Sequence, residues 1–128
     1  MFRSEAQLAL ACRALCERVR LDGMWTEAGP TETAIALLEA NGGPLSSGER
    51  IVLLSAWAVW NGHEGARLAD VLYRLDGRNL HALGTLMLAV AHSEHEIDEW
   101  IVMMEDEGQV RRPSLRAGRL SSPPGGSR

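Results

Sequence analysis

Four side chains in the last third of the sequence have the types and spacing of metal ligands: His92, His95, Glu96 and Glu99. Residues three and four apart lie on one face of a helix, where two imidazoles and two carboxylates would bind zinc or iron. The order His-Ser-Glu-His-Glu fits neither the zincin pattern, with histidines four apart around a glutamate, nor its inverse. Because the four side chains are of the right type and spacing, a metal-binding protein or metal-dependent enzyme is one hypothesis for this chain.

The sequence of the helix that would carry these four side chains favours a solvated surface over a metal site. Ser93 with Glu96 is a capping-box pattern, which predicts a helix start at Ser93 and leaves His92 outside the helix. At about 100° per residue, the four polar side chains lie opposite the apolar positions Ile97 and Trp100. The pattern predicts a solvated helix face, and we predict no cofactor.

Charge is unevenly distributed along the chain. Residues 1–108 contain seventeen acids and eight arginines, a net charge of −9, whereas residues 109–128 contain five arginines and no acid. An acidic body repels nucleic acid, so binding to DNA or RNA is expected only through the arginine segment. A nucleic-acid-associated regulator anchored by that segment is a second hypothesis.

The sixth predicted helix is the most acidic element. Seven acids and no arginine or lysine lie between Glu94 and Glu107. Three of these acids crowd the predicted last turn, where the helix dipole disfavours negative charge: Glu105, Asp106 and Glu107. Four arginines follow directly: Arg111, Arg112, Arg116 and Arg119. We expect these arginines to neutralise this helix or the same helix of a second molecule.

Apolar side chains on the same helix indicate an interaction surface. Val102 and Met103 point away from the stripe formed by Ile97 and Trp100, which predicts an outward apolar patch. Residues 51–60 and 80–91 are apolar on nearly every side, more than one body of this size easily encloses. The preferred hypothesis is a non-catalytic protein interaction module of adaptor, immunity or regulatory-subunit type, which binds another protein or a second copy of itself.

Helical spacing of apolar residues dominates the chain, and period-two alternation is absent. We predict an all-α fold, a compact array of five or six short helices around the two apolar helices at 51–60 and 80–91. Capping-box pairs mark three starts: Ser4 with Gln7, Ser46 with Glu49, and Ser93 with Glu96. Gly108 is predicted to end the sixth helix, so that residues 1–108 form one domain and 109–128 a disordered tail rich in Arg, Pro, Gly and Ser.

The compartment is predicted from the cysteines and the hydropathy. Cys12 and Cys16 lie four apart on one helical face as small apolar residues, which indicates a reducing, cytoplasmic setting. Neither long apolar run reaches the ~20 residues that cross a bilayer, so no membrane partner is predicted.

Overall fold

A computed structural model describes residues 4–62 and 65–111 of the chain. These residues form six helices and one minimal antiparallel β-ladder. The helices are α1 (Glu5–Glu17), α2 (Glu32–Glu39), α3 (Ser47–Asn61), α4 (Leu68–Arg74), α5 (Gly77–His92) and α6 (Glu94–Arg111). The ladder pairs β1 (Trp25–Thr26) with β2 (Gly29–Pro30). The predicted all-α class is confirmed, and the predicted tail lies outside the described residues from position 112 onward.

Local hydrogen bonds explain where the helices begin. At α3 the capping box is complete, because Ser46 Oγ accepts from the Glu49 N–H at 3.2 Å and Glu49 Oε1 accepts from the Ser46 N–H at 2.9 Å. At α1, Ser4 Oγ accepts from the Gln7 N–H at 3.2 Å, but the Gln7 side chain contacts α6 instead of returning to Ser4. The predicted box at Ser4 is therefore only half formed.

Two predicted helix boundaries differ from the structure. Helix α5 begins at Gly77 rather than at Leu80, because Asp76 Oδ1 accepts the Asn79 N–H at 2.8 Å and so caps the helix three residues earlier. Helix α6 does not end at Gly108 but continues to Arg111. Gly108 is not among the residues with positive φ, so it lacks the left-handed conformation that ends many helices. Arg111 therefore belongs to α6 and not to the tail.

The core is centred on α1 and α3. Ala11, Cys12 and Ala56 are fully buried where the two helices meet, and these small side chains allow close approach. The Cys12 thiol donates a hydrogen bond to the Ala56 carbonyl at 3.2 Å. The ladder closes one end of this core, since buried Trp25 makes an edge contact with Trp60 at a centroid distance of 5.8 Å.

Helix α5 is covered on one face only. Leu83, Leu86 and Ala89 are buried, whereas Met87 and Leu88 are exposed among the described residues. The two apolar helices therefore differ: α3 is enclosed by its neighbours, and α5 lies at the edge of the core. The expectation that α5 is surrounded holds for its inner face alone.

Candidate interaction surface

The α5–α6 hairpin fixes how α6 is rotated about its axis. Only Ser93 separates the two helices, and α6 runs back along α5. The Trp100 indole N–H donates to Thr85 Oγ1 at 3.0 Å and to the Ala82 carbonyl at 3.2 Å. Because these bonds hold Trp100 against α5, with Ile97 on the same buried side, the opposite side of α6 must face away from the protein.

Arg18, at the C-terminal end of α1, holds the second half of α6. Its side chain is 6% exposed, and its Nη1 atom lies 2.8 Å from Glu107 Oε1 and 3.3 Å from Met104 Sδ. Its Nε donates to Asn79 Oδ1 at 3.3 Å, and Nη2 donates to the Arg78 carbonyl at 3.4 Å. One guanidinium thereby joins α1, α5 and α6.

The acidic end of α6 thus has a positive partner that the sequence analysis missed. The expectation assigned this role to the arginines after residue 108, whereas the structure places Arg18 beside Glu107. The last turn of α6 is residues 108–111. Glu105, Asp106 and Glu107 therefore precede the last turn and do not crowd it as predicted. The available signal was the position of Arg18 just past the end of α1, three residues after buried Leu15.

The N-terminal half of α6 is fastened by Gln7. Its amide nitrogen donates to Asp98 Oδ1 at 2.9 Å and to the Glu94 carbonyl at 2.7 Å. Asp98 and Glu107 are therefore engaged by α1. No described residue makes an ion pair with Glu105 or Asp106.

The side of α6 turned away from the protein forms one continuous strip, here called the outer face. Its members are His95, Glu99, Val102, Met103 and Asp106, which recur at helical spacing and are all exposed. Val102 is 56% exposed and Met103 is 48% exposed. The structure therefore brings part of the predicted metal cluster and part of the predicted interaction patch onto the same surface.

The four predicted metal ligands do not converge on one point. His92 Nδ1 lies 3.8 Å from Glu96 Oε2, and His95 Nε2 lies 3.3 Å from Glu99 Oε2, with both histidines largely exposed. As the sequence predicts, His92 lies outside α6, and it is the last residue of α5. Across residues 4–62 and 65–111, no group of three His, Cys, Asp or Glu side chains is arranged to hold a metal ion.

Other predicted site residues fall outside what the structure describes. The backbone of Arg111 is in α6, but its side chain is not described, and Arg112 lies beyond the described residues. The expected neutralisation of α6 by the arginine segment therefore stays a prediction. The same holds for nucleic-acid binding through that segment.

Helix α4 exposes most of its apolar side chains. Leu68 and Leu72 recur at helical spacing with Leu75, yet both are exposed together with Tyr73. The reason is that α4 has only seven residues and packs mainly against α3, so little of its surface is covered. Leu75, just after the helix, is buried.

The two thiols are structural rather than reactive. Burial is the main cause that raises the pKa of Cys12 well above its usual range and that of Cys16 to about 12. The side chain of Trp25 acts in the opposite direction and lowers the pKa of Cys16 in part. Thiolate chemistry is therefore unavailable at neutral pH.

Within the described ranges, no helix has the length and apolar character needed to cross a bilayer. The chain matches no protein-family model, and comparison with curated proteins and with solved structures also gives no significant match.

Proposed function

We propose that this chain is a small non-catalytic interaction module, of adaptor, immunity or regulatory-subunit type, and that the outer face of α6 binds a partner protein. The observation that supports the proposal is the exposure of Val102 and Met103 on a helix whose other side is held by Trp100 and Arg18. Exposed apolar side chains on a rigid helix bind a partner without the cost of ordering the surface.

The charge around this patch indicates the chemistry of the partner. Glu99, Glu105 and Asp106 are exposed around Val102 and Met103, and residues 1–108 carry a net charge of −9. A partner with arginine or lysine beside apolar side chains would satisfy both features. Two outer faces placed together would oppose acid to acid, which favours a basic partner over a second copy.

The two free thiols support a cytoplasmic location for this interaction. Cys12 and Cys16 are unpaired and fully buried. Disulfides are rare in the cytoplasm, so free cysteines in a chain of this size are typical of that location. We propose that the interaction takes place there.

Site-specific photo-cross-linking tests the surface in the cells that make the protein. A benzophenone amino acid replaces Met103 in one variant and Ile35 in the matched control. Ile35 is also a partly exposed apolar residue, but it lies on α2. We expect a discrete adduct from position 103 that is absent from position 35 and is weakened by Asp106→Arg in the same chain.

The adduct must contain a basic protein to support the proposal. Equal adduct patterns from positions 103 and 35 would refute the surface. An adduct of twice the chain mass would mean that the partner is a second copy of this chain and not a basic protein. Purified protein that carries stoichiometric zinc or iron, lost on His95→Ala, would favour the metal hypothesis instead.

A further inference from the structure

We propose that residues 112–128 of this same chain dock on the outer face of α6 and compete there with the partner. The described part of the chain ends with α6 at Arg111, so this segment begins at one end of the outer face. The competition rests on the proposed function, whereas the docking itself does not.

The segment is long enough to reach the apolar patch. Val102 and Arg111 are nine positions apart, which corresponds to about 14 Å along a helix. Leu115 lies four residues beyond Arg111, and four extended residues span up to about 14 Å. The whole segment of 17 residues reaches up to about 60 Å, more than the roughly 27 Å of α6.

The segment and the surface are complementary in charge and in apolar character. The segment carries Arg112, Arg116 and Arg119 interspersed with Leu115 and Leu120, and it contains no acid. The outer face presents the apolar side chains Val102 and Met103 beside the exposed carboxylate of Asp106, and exposed Glu105 lies next to it. Neither carboxylate forms an ion pair with a described residue. Arginine next to leucine therefore matches the chemistry inferred for the partner.

The attachment favours the same chain over a second copy. Covalent attachment gives the segment an effective concentration on the order of millimolar at α6, which a separate molecule does not reach at ordinary protein concentrations. Exposed ion pairs are individually weak and are screened by salt. The docked state is therefore one that a tighter partner can displace.

A spin label on the full chain tests the docking. Ser122→Cys supplies the attachment site, and the buried thiols of Cys12 and Cys16 resist labelling in the folded protein. At about 0.01 M salt we expect the label to broaden amide resonances of residues 99–106 and to leave α2 sharp. At about 1 M salt the broadening should disappear.

Charge variants in the labelled chain separate docking from random collision. We expect the triple change Arg112→Ser, Arg116→Ser and Arg119→Ser to abolish the broadening, while the matched control Arg128→Ser retains it. Broadening that persists in the triple variant, or that affects α2 equally, would overturn the proposal. So would broadening seen only when labelled chains are mixed with separate isotope-labelled chains, because the occupant would then be a second copy.

The competition between residues 112–128 and the partner is tested by a separate measurement. The triple variant should increase the yield of the photo-cross-link from position 103, because the competing segment is lost. An unchanged or lower yield would overturn the competition. Failure of the docking experiment leaves the cross-link from position 103 intact, and absence of any cross-link leaves the resonance measurement readable, so the two proposals fail separately.

Discussion

Replacing Arg18 with alanine should destabilise the protein far more than replacing the other arginine that forms an ion pair from α1. Arg18 is 6% exposed and joins three helices, whereas Arg13 is 52% exposed and forms an ion pair with Glu17, one turn away on the same helix. The pair of substitutions keeps the residue type constant, although Arg13 lies inside α1 and Arg18 caps its C-terminal end. Burial and partners are the variables that differ.

The magnitude follows from the contacts of each guanidinium. Hydrogen bonds to charged groups contribute about 1.5–3 kcal/mol, but Glu107 is 45% exposed and water can replace part of its bond. Adding the lost bond to Asn79 and the lost packing of the buried stem gives about 2–3 kcal/mol for Arg18→Ala. The exposed pair of Arg13 with Glu17 should contribute only about 0.3–0.5 kcal/mol.

Urea unfolding followed by tryptophan fluorescence measures both variants. In a thermal scan the loss for Arg18→Ala corresponds to a lower midpoint by roughly 10 °C. Arg18→Met should lie between wild type and alanine, because it restores apolar packing without the charged hydrogen bonds. If Arg18→Ala lost no more stability than Arg13→Ala, the assignment of Arg18 as the residue that joins α1, α5 and α6 would be wrong.

Two further predictions concern the buried thiols and a close backbone contact. Burial raises the pKa of Cys16 to about 12 from 9.0 in an unfolded chain and shifts Cys12 in the same direction, so unfolding releases these protons above pH 9. The free energy of unfolding should therefore fall between pH 9 and 12, by at most roughly 1.4 kcal/mol per pH unit for each thiol. The double variant Cys12→Ala, Cys16→Ala should show a shallower fall in alkaline urea titrations. Gly65→Ala should cost about 1–3 kcal/mol, because its Cβ would overlap Ala58 and lie 2.7 Å from the Leu54 carbonyl oxygen. Gly48→Ala, with open space around the added carbon, should be neutral or stabilising by up to about 1 kcal/mol in the same urea assay.

The candidate surface was predictable in part. Val102 and Met103 were identified from the sequence because a helical wheel separates them from the buried stripe of α6. The wheel also placed His95 and Glu99 on the water side of the helix. The structure adds that His95 pairs with Glu99. Both residues share the outer face with Val102 and Met103, because Trp100 is held against α5.

The partners of the charged groups were not predictable in the same way. Glu107 and Arg18 are 89 positions apart, and nothing in the spacing of either residue points to the other. Proximity in the chain points instead to the arginines after residue 108 as partners of these acids. Electrostatic pairing depends on distance in space, so sequence proximity was a poor guide here.

The amino-acid sequence alone specified the helical class and many helix starts, because caps such as Ser46 with Glu49 and the recurrence of apolar residues act within a few positions. It did not determine how much of each apolar helix is covered. Helices α3 and α5 are both rich in apolar residues, yet only α3 is surrounded, while Leu88 of α5 and Leu68 of α4 face outward. Burial depends on which neighbours reach a surface, and that is decided when the helices pack together.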